Sequence, residues 1–269
     1  MDCPNTIQQK VRSLQMKTSV SRFTVFCISL MAVSLFFTGF SDAKVDLKTA
    51  VGIWLFDEGS GNTAKDLSGK GNDGKLVKAP AWVDGKFGKA LEFNGKDNCV
   101  QTEKKLLDNL GDFTLVTWVK PGNLVGGRIG LLGQNDSPEF GFIDPQTVNL
   151  WTPANSASAK YTFPSGQWHH VAAVASTKSI KVYIDGVPTE QKKDVANHGT
   201  SAFNVNIGGC GIWDGDGNWF TGAMDEVAIF HAALADDDVK TIMNGFSGML
   251  TAVEPAGKLA VTWGQMKKR

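Results

Sequence analysis

The chain has 269 residues, 42% hydrophobic and 20% charged, with 27 basic side chains against 27 acidic ones. This is an ordinary globular composition, and its charge balance excludes the basic excess of a polyanion binder, so no nucleic-acid partner is expected. Thirty Gly, eight Trp and sixteen Phe against two Tyr favour many short strands joined by tight turns and leave little sequence for long helices.

The first 43 residues differ from the rest. After Met16, Lys17 and Arg22 form a positive n-region. An uncharged apolar run, "FTVFCISLMAVSLFF", follows from Phe23 to Phe37, and then "TGFSDA" ends in small residues at Ser41 and Ala43. This is the pattern of a secretory signal with cleavage after Ala43. The competing reading is an uncleaved anchor, but the run is shorter than the ~20 residues a spanning helix needs, so no stable membrane insertion is expected after cleavage. Met16 is a natural start, with residues 1–15 as an N-terminal extension. Removing residues 1–43 takes away four basic and two acidic residues, leaving 23 basic and 25 acidic. Cys3 and Cys27 leave with that segment. The mature chain then keeps only Cys99 and Cys210, too few for a zinc site. Sequence alone leaves open whether these two pair in a disulfide or stand as separate half-buried thiols.

From residue 44 onward, strand signals recur at short intervals. "VGIWLF" (51–56) alternates and is followed by a Gly-, Asn- and Asp-rich stretch to Gly74. "KALEFNG" (89–95) ends on a turn pair. "DFTLVTWVKP" (112–121), "RIGLLGQ" (128–134), "GFIDPQTVNLW" (141–151), "QWHHVAAVAS" (167–176), "SIKVYIDGVP" (179–188) and "FNVNIGG" (203–209) continue the series, with Asp185-Gly186 as a tight hairpin turn. The strand "TGAMDEVAIF" (221–230) carries two adjacent acids. If Val227 and Ile229 face the core, period two places Asp225 on their side and Glu226 on the other, and an inward carboxylate needs a partner. One helix is expected in "ADDDVKTIMNGF", with Asp236 as N-cap, Val239, Ile242, Met243 and Phe246 at helical spacing and Gly245 as the stop. The expected architecture is an all-β, two-sheet antiparallel sandwich over 44–246 with one short C-terminal helix. The tail 247–269 breaks at Pro255-Ala256-Gly257 and carries one strand-like piece, "LAVTW".

The ordered series "WLFDEGSGNTAKDLSGKGNDG", "GKFGKALEFNG", "FTLVTWVKP", "QWHHVAAVAS", "KVYIDG", "NIGG" and "FTGAMDEVAIFHAALADDDVKTIM" resembles the LamG-like jelly-roll domains of bacterial secreted proteins, in the concanavalin A-like lectin/glucanase superfamily. The resemblance spans about 51–246. It implies two sheets packed face to face, a face and loops that bind glycans or extracellular proteins, and often one calcium ion where the first and last strands meet. It does not imply an enzyme. On that basis Asp57, Asp66 and Asn72 in the Gly-rich stretch, together with Asp225, are the expected calcium ligands, which would neutralise the inward charge of Asp225. A competing reading takes Asp214, Asp216, Asn218 and Asp225 as an EF-hand-like loop. Trp219, however, stands where that loop needs Gly, and Asp replaces its bidentate Glu. A third reading has Asp225 accept backbone N–H groups and bind no metal.

For the ligand site, Trp54, Trp82, Trp118 and Trp168 fall on or beside strands and read as core. Trp213 and Trp219 bracket a polar, Gly-rich loop. With Asp214, Asp216 and Asn218 they form the expected sugar site, an indole beside polar acceptors. His169 and His170 read as one structural and one surface histidine. A glycoside hydrolase on this scaffold would need two carboxyls facing one bond, and no E-x-D-x-E spacing is present. The expected function is therefore a secreted, non-catalytic, lectin-like binding module. A protein adhesion module is the alternative, and a hydrolase a more distant one.

Overall fold

The computed structural model describes residues 45–189, 192–193 and 197–253. The secretory signal, its cleavage point and the strand-like piece of the tail lie outside the described residues. Within them, every strand pairing is antiparallel, and the strands form two sheets. Among the described residues no helix is long and apolar enough to cross a membrane.

The nine-stranded sheet contains β1 (Ala50–Trp54), β4 (Ala81–Asp84), β5 (Lys89–Asn94), β7 (Phe113–Pro121), β12 (His169–Ala175), β13 (Ser179–Ile184), β14 (Val187–Pro188), β15 (Lys192–Lys193) and β17 (Thr221–Phe230). Its main path runs β14-β13-β12-β7-β17-β5-β4, with β1 paired to β17 and β15 to β13. The eight-stranded sheet contains β2 (Thr63–Ala64), β3 (Gly74–Val77), β6 (Cys99–Gln101), β8 (Ile129–Gly133), β9 (Glu139–Asp144), β10 (Thr147–Trp151), β11 (Ser156–Lys160) and β16 (Asn206–Ile207). Its order is β11-β10-β9-β8-β16-β6-β3-β2. The first and last strands of the domain therefore sit side by side in one sheet, which closes the sandwich.

Two apolar clusters hold the layers. Alternate residues of both sheets, including Leu91, Phe93, Leu115, Phe140, Phe142, Val171, Val182 and Ile229, fill the space between them. The second cluster lies on the outer side of the nine-stranded sheet, where Val116, Ala172, Tyr183, Ala228 and Phe230 meet Val239, Ile242 and Phe246 from the C-terminal segment. The helix there is Asp236–Ile242. Ala235, not Asp236, stands at its N-cap, where the Ala235 N–H donates to Asp238 Oδ2 at 3.3 Å. Asp236 begins the helix and accepts from Lys181 Nζ at 2.9 Å and from the Tyr183 hydroxyl at 2.8 Å, fastening the helix to the sheet. A second short helix, Ser247–Val253, follows.

The two acids of β17 correct the period-two reading. A bulge lies between Asp225 and Ala228 against β7, and Glu226 takes φ 52°. Met224, Val227 and Ile229 belong to the core between the sheets, so the bulge inserts one residue between two inward positions. Asp225 stands opposite Trp118 and on the outer side, not on the face of Val227. Both acids are buried, each with one oxygen bonded and one without a partner. Asp225 Oδ2 accepts from the Phe87 N–H at 2.9 Å and Glu226 Oε2 from the Phe246 N–H at 2.6 Å, while Asp225 Oδ1 and Glu226 Oε1 have no hydrogen-bond partner. Burial pushes both carboxyls up to about 7. The Asp225 carboxylate thus accepts a backbone N–H, and burial raises its proton affinity.

Candidate functional site

Among the described residues, the outer face of the eight-stranded sheet carries an exposed indole. Along β10, Val148 and Leu150 enter the core, so Asn149 and Trp151 point outward. Trp151 lies directly opposite Glu139 on one side and Ser156 on the other, and Asn149 lies opposite Gly141 and Ser158. Directly opposed residues have Cβ atoms about 4.5–5.5 Å apart, so these side chains form one patch. Asn149 Nδ2 donates to Ser158 Oγ at 2.8 Å and to the Ala157 carbonyl at 3.1 Å, which fixes the amide plane beside the indole. Trp151 keeps 38% of its surface exposed, although large apolar rings are usually covered.

A wall rises beside this floor, built by the loop 210–219. The disulfide between Cys99 and Cys210, with Cα atoms 6.0 Å apart, ties the start of the loop to β6. Ile212 and Trp213 then lie down on three glycines of β8 and β9. A Cβ at Gly130 would meet Ile212 Cδ1 at 2.7 Å, and one at Gly141 would meet Trp213 Cη2 at 2.9 Å. Only glycine lets the loop approach the sheet this closely. Asn218 staples the loop from within. Its Oδ1 accepts from the N–H groups of Trp213 and Asp214 at 2.9 and 3.0 Å, and its Nδ2 donates to Asp214 Oδ2 at 2.9 Å. Its carbonyl accepts from the Gly130 N–H at 2.8 Å.

Electrostatics concentrate where wall and floor meet. Glu139 is buried and accepts from the Asp136 N–H at 2.8 Å, and desolvation pushes its carboxyl up to about 8. The Asp136 N–H bond and Arg128 oppose that rise, and the charges of Asp136 and Asp214 add to it. Arg128 Nη1 pairs with Asp214 Oδ1 at 2.9 Å across the top of the wall. The site therefore presents a buried acid whose proton affinity is raised, an internally compensated ion pair, amides, hydroxyls and one exposed indole. This set suits an uncharged polyhydroxylated ligand.

The residues expected to bind sugar fall into three groups. Asp214 and Asp216 are exposed on the loop, and Asp214 reaches the wall's ion pair. Trp213 is buried at 7%, a packing residue and not a platform, because the glycines below let it sink onto the sheet. Asn218 is spent inside the loop, and the half-buried Trp219 packs on Gly209, where a Cβ would meet its Cε3 at 2.6 Å. Sequence reasoning missed Trp151, Glu139 and Asn149. The signal was present, since in "TVNLW" the apolar Val148 and Leu150 force Asn149 and Trp151 to share the other face.

The four expected calcium ligands do not gather into one cage. The Asp66 carboxylate already accepts from the N–H groups of Ile53, Ser68 and Asn72 and from Ser68 Oγ, and Asn72 Nδ2 donates to the Val51 carbonyl, so both residues clamp the Gly-rich stretch onto β1. Asp57 Oδ1 accepts from the Lys89 N–H at 2.8 Å. The EF-hand-like alternative is likewise not assembled, because Asn218 is occupied and Asp225 lies in the nine-stranded sheet. Among the described residues no group of three or more His, Cys, Asp or Glu is placed to hold a metal. His169 Nδ1 lies 2.7 Å from Asp185 Oδ2, and His170 is buried against the Trp118 ring and not on the surface, with its imidazole held down to about 4 by burial.

Comparison with known proteins places this geometry. No curated protein matches the chain. Solved structures share the fold. Domain 4 of AbnA, a GH43 extracellular arabinanase from Geobacillus stearothermophilus, in complex with arabinotriose, is 22% identical, with 72% of this chain and 98% of that one covered at a TM-score of 0.57. The binding domain of Paraclostridial Mosquitocidal Protein 1 is 15% identical, covering 74% of this chain and 53% of that one at 0.55. The binding domain of Botulinum neurotoxin DC, in complex with rat synaptotagmin II, is 14% identical, covering 75% and 52% at 0.52. This chain thus spans about half the length of the two toxin structures, and at these identities the likeness concerns fold alone. A family model described as the concanavalin A-like lectin/glucanases superfamily matches residues 94–240, more than half of the 269. With its two antiparallel sheets and closed jelly-roll order, the chain belongs to the concanavalin A-like lectin/glucanases superfamily.

Proposed function

We propose that this protein is an exported, non-catalytic module that binds a neutral oligosaccharide on the outer face of its eight-stranded sheet. The observation that carries this is the exposed Trp151 indole, set among Glu139, Asn149 and Ser158 and bounded by the 210–219 wall. A sugar ring stacks its C–H face on an indole while its hydroxyls take up adjacent donors and acceptors. Asp214 and Asp216, from the loop singled out in the sequence, are proposed as contacts from the wall. The likeness in fold to the GH43 arabinanase domain, solved in complex with arabinotriose, supports this reading. Export is supported by the Cys99–Cys210 disulfide, a bond that persists in oxidising compartments, and agrees with the secretory pattern of residues 1–43.

The module is proposed to be non-catalytic because hydrolysis needs two carboxyls facing one glycosidic bond with separate roles, whereas here Glu139 is buried and Asp214 is tied to Arg128. Calcium has no common cage in the four residues expected to hold it, so the proposal includes no metal-dependent step. Melting curves with calcium and with chelator are expected to coincide. The test of binding is a glycan array followed by calorimetry on the best neutral hit. Trp151→Ala is expected to weaken that hit at least about tenfold, as loss of a stacking aromatic anchor does. Unchanged affinity in Trp151→Ala would remove the site, and an array without hits would favour the protein adhesion reading.

A further inference from the structure

The opposite side of the sandwich carries a second recess. It lies on the outer face of the nine-stranded sheet, between the turn that joins β4 to β5, the turn after β13 and the end of the helix Asp236–Ile242, with a volume of about 560 Å3. Phe87, Trp118 and Met243 give it apolar surface, and Lys86 and Lys240 stand in its lining. That is room for one monosaccharide-sized ligand. We infer that this recess is a second ligand site, distinct from the Trp151 platform, and that it takes a carboxylate-bearing sugar between Lys86 and Lys240.

Three observations set the ligand class. First, the cations are placed and available. Lys86 Nζ lies 4.3 Å from the centroid of the Trp118 ring, where cation–π attraction holds the ammonium over the recess. Lys240 pairs with Asp237 at 3.0 Å, but both side chains are largely exposed, and such pairs contribute little and exchange readily. Second, the acid in the lining is already engaged. Asp185 Oδ1 accepts from the His170 N–H at 2.9 Å and Oδ2 lies against His169 Nδ1 at 2.7 Å. Beside the recess, the Asp225 carboxyl that accepts from the Phe87 N–H is raised by burial, which lessens its repulsion of an anion in mildly acidic solution. Third, the Trp118 indole N–H is buried with no hydrogen-bond acceptor. A buried donor without a partner calls for a ligand or water oxygen. A sugar acid supplies the carboxylate for the lysines and ring hydroxyls for the indole and the Asn244 amide, while its C–H face lies on Phe87 and Met243.

The test uses the full chain, titrated by calorimetry at about pH 6, on the acid side of the raised Asp225 carboxyl, with glucuronic acid, N-acetylneuraminic acid and glucose as probes. At least one acid is expected to bind and glucose is not. The two acids distinguish a uronic from a sialic source of the same carboxylate chemistry. Lys86→Ala and Lys240→Ala, both exposed and so tolerated by the fold, are each expected to raise the dissociation constant roughly tenfold, the loss of one charge-assisted contact. Trp151→Ala should leave this binding unchanged, which separates it from the neutral-glycan site. Glucose binding as well as the acids, affinity indifferent to both lysine variants, or no saturable binding of either acid would each overturn the inference.

Discussion

The two outer faces of the sandwich have been treated in opposite ways. On the nine-stranded sheet, the outward residues Val116, Ala172, Val174, Tyr183, Ala228 and Phe230 form an apolar patch among polar ones such as Lys181 and Asp225, and the C-terminal segment covers that patch with Val239, Ile242 and Phe246 to make a second core. On the eight-stranded sheet, the outward residues of β8 to β11 include glycines, an amide, hydroxyls, Glu139 and the exposed Trp151, and the loop 210–219 lies over Gly130, Gly133 and Gly141. An antiparallel sheet can leave one face solvated only if its side chains alternate apolar and polar, and β10 with β11 does so. The comparison shows where substitutions should cost stability and where they should cost binding.

The largest effects are expected where that contrast is broken on the closed face. Phe246 is fully buried and its ring lies 6.1 Å from that of Phe230. Phe246→Ala should lower unfolding stability by about 3–5 kcal/mol in urea melts, whereas Trp151→Ala on the open face should stay within about 0.5 kcal/mol of wild type. Equal losses from the two would mean that the open face is as structural as the closed one. Removing the disulfide comes close behind. Cys99 and Cys210 are 111 residues apart in sequence, so in the chain-entropy account a Cys99→Ser, Cys210→Ser variant should lose roughly 3–5 kcal/mol. It should also loosen the wall, which would show as faster amide exchange in the loop 210–219.

A middle-sized effect comes from protons. Asp225 and Glu226 sit at about 7 and Glu139 at about 8, all raised by burial above their values in an unfolded chain near 4. Between those limits the folded state holds protons that the unfolded state has released. Stability is therefore highest at the acid end of the window and falls as pH rises through the folded values. His170 acts in the opposite sense, since its imidazole is held near 4, and its contribution is present above about 6.5 and lost as pH falls toward 4. From about pH 6.5 to 8 the acids act unopposed, so the melting temperature should decline there by the equivalent of roughly 1–3 kcal/mol. Asp225→Asn and Glu226→Gln, which copy the protonated form, should flatten the decline. A flat wild-type profile over that window would show that the two carboxyls are ionised in the folded protein.

How far the sequence could be read follows from which forces act locally. The strands beginning near residues 51, 89, 112, 128, 167, 179 and 221 were legible because alternation and turn residues are short-range signals, and the helix was legible from its spacing. The run 141–151 reads as one strand signal but folds as β9 and β10, with the turn at Pro145-Gln146 between Asp144 and Thr147, an Asp-Pro signal that could have been read. The short strands β2, β3, β4, β6 and β15 carry too few residues to alternate visibly and are strands only because a neighbour pairs with them. Asp225 was assigned to the wrong face because a bulge depends on the partner strand, and nothing within "GAMDEVA" announces it. At the site, Trp151 could have been found from "TVNLW". Trp213 could not have been seen as buried, because the cause is three glycines some 70–85 positions away, at Gly130, Gly133 and Gly141.

The smallest expected effect tests whether the open face works as one electrostatic unit. The Arg128–Asp214 pair is more than half exposed on the Arg side and 50% exposed on the Asp side, so its direct contribution to stability should be about 0–1 kcal/mol. Its influence on Glu139 is separable from stability, because Arg128 lowers the carboxyl's proton affinity while Asp214 raises it. Arg128→Gln removes the cation and also frees Asp214 to act alone, so both consequences push Glu139 above its value of about 8. Asp214→Asn removes the anion and frees Arg128, so both consequences pull it below. Carbon-13 titration of the Glu139 carboxyl should therefore show shifts of opposite sign in two variants whose melting temperatures barely differ. If the two shifts had the same sign, or if neither variant moved the carboxyl, Glu139 would be insulated from the wall. Floor and wall would then be neighbours without coupling, and a ligand on Trp151 would gain nothing from the ion pair above it.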